Sequence, residues 1–387
     1  MIVLQTLLLS AAAASGSVAA IATGPSGDAF YAPPNPLPVG TDGTVVWARR
    51  FTGGSALPSA SANYLILYEV ISPKGRYVAV SGTLAIPSGA APPQGWPLIS
   101  WAHGTVGNAP QCAPSRSQQP NGEQQMLDGF VRRGYAVAQT DYEGNGTPGL
   151  HPYLVATSSA RDVTAIVVAS RTIDAQIGRE WIAMGHSEGG AAALATAALA
   201  QQLAPDLRLV GAVAYAPLSY PQGLLRGELA NATPNAGLAI LGLMIEGFST
   251  VDARIVPSKL LDAEALPLLP ELQERCIPEI MHASQWNRIV PRSIFRQQGE
   301  DVLQAFYDDL VANDPEFFAI TVPTLLVQGL ADALIASQST VALRDSLHRN
   351  GTPVTFKTYF GATHGSVLAA AMNDVAGWAA ERFSSRR

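Results

Sequence analysis

Charge is scarce in this chain of 387 residues: Asp, Glu, Lys and Arg make up 14%, and 24 basic against 30 acidic side chains leave a net charge of -6. No basic cluster stands out, so the chain lacks the electrostatic footprint that a phosphate backbone needs, and nucleic acid is excluded as a partner. There is no H-E-x-x-H, no paired C-x-x-C and no dinucleotide fingerprint, so neither a metal nor an organic cofactor is expected. Beyond the first 22 residues no apolar run is long enough to span a bilayer, so the mature chain is expected to carry no transmembrane segment. Lys and Arg are missing altogether before Arg49, and cysteine occurs twice.

What the chain does have is apolar material, 48% of its residues, enough for a large buried core and too much for extensive disorder. Its length fits one α/β core with an insertion. The opening residues are small and apolar, with a hydrophobic stretch over 2–9 and a small-x-small site, Ala20-Ile21-Ala22, before Thr23. Residues 1–22 therefore read as a secretory signal, although the terminal amine is its only positive charge. The alternative, a buried N-terminal helix, is disfavoured by the Gly/Pro/Ser-rich stretch that follows, so 23–63 is expected to be an arm. Export implies an extracellular protein, or a periplasmic one in a Gram-negative host. In an exported chain the pair Cys112 and Cys276 suggests one long-range disulfide, with two buried thiols as the other reading.

From residue 64 the chain alternates β-branched runs with amphipathic helical stretches, the pattern of a mostly parallel sheet covered on both faces. Residues 64–71 and 77–86 read as a hairpin turned at Pro73-Lys74-Gly75, and 96–102, 135–140, 181–184 and 209–216 as strands, with helices at 124–133, 158–173 and 191–203. Between 218 and 318 no convincing buried strand occurs, and so long an interval reads as a helical cap. The core resumes with a strand at 324–327, a helix at 337–349, a last strand at 354–359 and a closing helix at 366–383. The expected fold class is α/β: an α/β-hydrolase core at 64–217 and 319–387, with the cap at 218–318 inserted.

Gly185-His186-Ser187-Glu188-Gly189 joins a short apolar strand to an Ala-rich helix, the setting in which a sharp turn projects a serine at the carboxyl edge of a sheet. The glycines leave room for that turn, and the helix aims its N-terminal amides at an oxygen that becomes negative. Ser187 is thus the candidate nucleophile. A serine hydroxyl needs a base, and of six histidines His364 alone directly follows the last strand. His186 occupies the variable position of the elbow, where its side chain is expected to point away. Asp332, after the strand at 324–327, completes the chain order Ser, Asp, His. The oxyanion would be held by the amide of Glu188 and by that of Thr105 or Val106 in His103-Gly104-Thr105-Val106-Gly107.

These segments, together with Ser100-Trp101-Ala102-His103-Gly104-Thr105, Cys112-Ala113-Pro114-Ser115, Asp141-Tyr142-Glu143-Gly144 and the run 361–365, resemble the secreted lipases similar to Candida antarctica lipase A and their actinobacterial relatives. The resemblance implies an ester hydrolase acting on lipids, a cap inserted after the sixth strand and a disulfide, Cys112 to Cys276, tying the oxyanion loop to that cap. It also places Glu143 near the pocket, where a plain turn carboxylate is the competing role. The greasy segment 236–245 could line an acyl channel or simply pack.

The expected function is a lipase or carboxylesterase using Ser187, His364 and Asp332 on a small-molecule or lipid ester, with transient contact to a lipid interface. Two other readings compete: a peptidase of the prolyl oligopeptidase type, which would need a larger N-terminal region, and a non-catalytic binding protein on the same fold.

Overall fold

The computed structural model describes residues 21–117, 121–235, 237–296 and 299–384; all of the expected leader except Ile21 and Ala22 lies outside them. Nine strands form one sheet: β1 (Val45–Arg50), β2 (Ala62–Ile71), β3 (Tyr77–Ile86), β4 (Trp96–Ala102), β5 (Ala136–Thr140), β6 (Ile177–His186), β7 (Arg208–Tyr215), β8 (Thr324–Gly329) and β9 (Val354–Tyr359). Their order is β1-β2-β3-β5-β4-β6-β7-β8-β9, with β1, β2 and β3 antiparallel and every pair from β5 to β9 parallel. The arm expected at 23–63 is therefore partly sheet. Val45 to Arg50 pair with β2, and Thr23 bridges to Ala48. This extra edge strand shifts the strand count by one, so the long insertion follows the seventh strand.

Helices cover both faces, which is why β4 to β8 are buried over most of their length rather than alternating buried and exposed. On one face lie α1 (Gly122–Val131), α11 (Val367–Ala370) and α12 (Met372–Ser384), whose Leu127, Phe130, Val367 and Trp378 pack on Ile99, Ile182, Val213 and Leu325. On the other lie α2 (Ala156–Ile173), α3 (Glu188–Leu203) and α10 (Ser337–Arg349), packed on the alternate residues of the same strands, among them Leu98, Ala183, Ala212 and Leu326. The closing helix expected at 366–383 is broken at Ala371 into α11 and α12.

From β4 the chain crosses first to β5 on one side and then to β6 on the other. The carboxyl ends of β4 and β6 therefore flank the point where strand order reverses, the place where open α/β sheets bind ligands. His103 and Gly104 follow β4 there, and Ser187 follows β6.

Between β7 and β8 the described residues form α4 (Pro221–Ala230), α5 (Gly237–Ser249), α6 (Pro257–Leu260), α7 (Leu269–Glu274), α8 (Ile277–Ala283) and α9 (Glu300–Ala312), with short turns and a single isolated bridge, Leu261 to Phe295. They bury a core of their own around Leu241, Met244, Phe248, Trp286 and Phe306. Tyr153 and Val155, which precede α2, join that core and seat it on the sheet.

Candidate active site

Ser187 sits between β6 and α3 with φ 58° and ψ -115°, a left-handed backbone that a residue with a Cβ adopts only when its surroundings impose it. The imposition is visible. The Ser187 amide donates to the Tyr215 carbonyl at 2.9 Å, and its own carbonyl accepts from Ala191 at 3.2 Å and Leu218 at 3.0 Å. Space for this turn exists because Gly185 and Gly189 lack side chains: a Cβ on Gly189 would lie 1.9 Å from the Ala102 carbonyl oxygen, and one on Gly185 2.0 Å from that of Gly189. The first turn of the helix that follows has amides without intrahelical partners, the positive end of its dipole.

His364 lies in the loop between β9 and α11, and its Nδ1 is 2.8 Å from Oδ2 of Asp332, in the loop after β8. The side chain of Asp332 is fully buried and accepts at Oδ1 from the amides of Leu334 and Ile335, both at 2.9 Å, and at Oδ2 from Gln328 Nε2 at 3.2 Å. Burial pushes this carboxyl up, but the His364 hydrogen bond and the two amides outweigh burial and hold it below the usual carboxylate range. An ionised carboxylate only accepts, so Nδ1 of His364 carries a proton. Ser187 and His364 line the same cavity, of about 1040 Å³.

Thr105 and Val106 also line that cavity. The Thr105 hydroxyl pairs with Tyr153 OH at 2.8 Å, while the Val106 carbonyl accepts from Ile277, at the start of α8, at 2.8 Å. The side chain of Glu188 is buried in the protein, where His151 Nε2 meets its Oε1 at 2.9 Å. Cys112 and Cys276 form a disulfide closing 164 residues of chain, and both line the cavity. With Val106 and Ile277 beside it, the bridge fastens α8 to the loop after β4.

Glu143 is placed elsewhere. Its carboxylate takes a hydrogen bond from Ser158 Oγ at 3.2 Å and borders a smaller cavity of about 480 Å³ behind the cap. The pocket position implied for it is thereby corrected: the Asp-Tyr-Glu-Gly loop works as scaffold. Its Asp141 accepts from the Ser115 amide at 2.9 Å and from Ser81 Oγ at 2.6 Å, pinning the Cys-Ala-Pro-Ser segment that carries the bridge. Of the segment 236–245, Gly237 and Ile240 line the main cavity, while Leu238, Leu241, Leu243, Met244 and Ile245 are buried in the cap core; the segment is mostly packing.

His186 departs most from expectation. Its ring lies 4.4 Å from that of His364, and its Nε2 donates to the His364 carbonyl at 2.9 Å, a contact not expected of it. Nothing in its position within the motif signals this contact.

A mostly parallel sheet flanked by helices, with a strained serine at its switch point and an Asp-paired histidine lining the same cavity, defines an α/β-hydrolase. Comparison with known proteins narrows the class. The family model for secretory lipases matches residues 114–387, and the chain belongs to that family. A Mycobacterium tuberculosis lipase relative described as inactive is 27% identical over 94% of this chain and 83% of its own length. A secreted triacylglycerol lipase of Malassezia globosa is 23% identical over 94% of this chain and 82% of its own. In structure, Candida antarctica lipase A in its closed state superposes with a TM-score of 0.72 at 16% identity, covering 89% of this chain and 83% of that one, a likeness of fold.

Removing the bridge is expected to loosen cap and loop together. A loop of 164 residues is long enough that losing the cross-link should cost about 2–5 kcal/mol. A Cys112→Ser, Cys276→Ser double variant should therefore show a lower urea midpoint and a lower kcat; an unchanged midpoint would mean that the loop is held without it.

Proposed function

We propose that this protein hydrolyses carboxylic esters of lipids outside the cell by acyl transfer through Ser187, His364 and Asp332. Ser187 Oγ attacks the ester carbonyl carbon while His364 Nε2 takes its proton. The charge that develops on the carbonyl oxygen is met by the amide of Glu188 and by that of Thr105 or Val106. Collapse expels the alcohol, which leaves with the proton from His364, and water then repeats the sequence on the acyl-enzyme to release the acid. Asp332 keeps the imidazole in the required tautomer and offsets its transient positive charge.

The observation that carries this reading is the His364–Asp332 contact of 2.8 Å in the wall of the cavity that also holds the strained Ser187. Leu218, Leu224, Ile240, Ile277 and Met281 make much of that cavity apolar, which suits an acyl chain. Family membership, the disulfide and the apolar leader support an extracytoplasmic site of action. No helix among the described residues is long and apolar enough to cross a membrane.

One relative is described as inactive, so a ligand-binding protein on this fold is the second reading, and turnover decides between them. Hydrolysis of p-nitrophenyl esters from acetate to palmitate, with and without emulsion, should show burst kinetics and stoichiometric blocking by a fluorophosphonate. Binding without turnover on every ester would reverse the choice.

Exposed apolar side chains near the site, of which Leu334 lines the cavity, support contact with a lipid surface. Leu330 (48% exposed), Leu334 (65%) and Phe360 (97%) project from the loops after β8 and β9 that carry Asp332 and His364, and the Leu330 amide donates to the Tyr359 carbonyl at 2.9 Å, setting the two loops side by side. A Leu330→Ser, Phe360→Ser double variant should lose about 10-fold activity on emulsified triglyceride, roughly what forfeiting the burial of one apolar side chain costs. Turnover of p-nitrophenyl acetate in solution should stay the same; an equal fall on both substrates would place these side chains in the chemistry instead.

A further inference from the structure

Glu123 is the second residue of α1, a place where a carboxylate ordinarily does no more than meet the helix dipole. Here it is turned inward, its side chain largely buried, and it gathers groups from two strand ends. Its Oε2 accepts from the indole N–H of Trp101, near the end of β4, at 3.2 Å. Its Oε1 accepts from the amide of Gly104 at 3.2 Å, one residue before Thr105, and the same oxygen lies 3.7 Å from Nδ1 of His186.

The other ring nitrogen of His186 closes the circuit. A carbonyl oxygen can only accept, so the 2.9 Å contact to the His364 carbonyl requires a proton on Nε2 of His186. That bond holds the backbone of the residue whose imidazole must meet Ser187, and the two rings lie against each other at 4.4 Å. One carboxylate thus touches the loop after β4 directly and the loop after β9 through a single histidine.

We propose that Glu123 and His186 are a positioning pair: His186 anchors the His364 backbone, and the Glu123 carboxylate beside its ring anchors Gly104, so that the base and the oxyanion loop are held in register. The proposal rests on the reading of Ser187, His364 and the Thr105–Val106 loop given above. Both residues line the cavity that holds Ser187 and His364, and neither belongs to the proposed triad. Their contribution is geometric, and misplacing a reacting group by about 1 Å costs on the order of 100-fold in rate. Burial pushes the Glu123 carboxyl up, but His186, His103 and the Gly104 amide outweigh burial and lower it, so the group that anchors Gly104 is a carboxylate at neutral pH.

The test compares His186→Ala, His186→Gln and Glu123→Gln on p-nitrophenyl butyrate, with kcat and KM measured separately and Tm recorded for each. His186→Ala should lower kcat by about 10- to 100-fold with KM within about two-fold, because positioning acts mainly on the reacting geometry and the apolar wall of the cavity is left intact. His186→Gln, whose amide N–H can reach the same carbonyl, should recover most of the loss. Glu123→Gln should lower kcat about 10-fold, again with little change in KM. Wild-type kcat in His186→Ala, or His186→Gln no better than His186→Ala at an unchanged Tm, overturns the pair. Should the alanine variant not fold, the glutamine variant decides alone: folded with kcat near wild type it supports the pair, and folded with a loss above 100-fold it overturns it. The underlying reading fails by a different sign, full activity in Ser187→Ala, which leaves these comparisons unaffected.

Discussion

Ser187→Ala is expected to abolish ester turnover, with kcat falling by about a million-fold while the protein melts within a degree or two of the wild type. A loss of that size corresponds to roughly 8 kcal/mol of barrier, far more than any hydrogen bond of the hydroxyl could contribute to stability. Stability should hold because alanine keeps the Cβ, so the backbone at φ 58° is no more strained than before, and the amide and carbonyl contacts to Tyr215, Ala191 and Leu218 do not involve the side chain. Any remaining rate over the uncatalysed reaction would report what the oxyanion amides do unaided. The measurement is turnover of a p-nitrophenyl ester together with loss of fluorophosphonate labelling. Full activity in the folded variant would remove Ser187 from the chemistry, and the proposed function with it.

The elements most readable from sequence are those whose cause is local. The elbow is legible because two glycines, an apolar strand and an alanine-rich helix must all be present for the chain to turn there, and each leaves a mark within a few residues. Strands β3 and β9 and helix α10 begin and end where turn residues say they should. What stayed hidden depends on distant parts of the chain. Val45 to Arg50 are six residues amid Gly- and Pro-rich turns, and they become a strand because β2 offers an unpaired edge. Glu123 carries every local sign of a solvated first-turn carboxylate; only the crossover from β4 through α1 to β5 brings it under Gly104 and beside His186. His186 likewise has nothing in its own motif to announce the His364 carbonyl. Asp332 and His364 fall between these cases, because their positions after β8 and β9 follow from the strand pattern, whereas their 2.8 Å contact follows from the parallel pairing of those strands.

Gly189→Ala should be the most damaging single methyl added anywhere near the elbow. Its Cβ would stand 1.9 Å from the Ala102 carbonyl oxygen, 2.5 Å from the Ala102 carbonyl carbon and 2.6 Å from the His103 carbonyl oxygen. Every one of these atoms is backbone, so no rotamer change can relieve the overlap. Either the first turn of α3 retreats from the sheet or the end of β4 bends, and β4 is held on both sides by β5 and β6. A cost of roughly 3–5 kcal/mol follows, large for a single methyl because the usual relaxation of an overpacked site is blocked. In a chain of this size that should lower Tm by roughly 4–6 °C. Activity should suffer further, because the amide of Glu188 and the turn at Ser187 ride on the displaced helix, and a shift of about 1 Å is worth on the order of 100-fold. Gly377→Ala serves as control: an added Cβ there meets nothing within 4 Å, and inside α12 it should leave Tm unchanged or raise it slightly. If Gly189→Ala instead melts and turns over like the wild type, then β4 and α3 are not in the close contact that gives the elbow its strain, and some other restraint must hold Ser187 in its left-handed backbone.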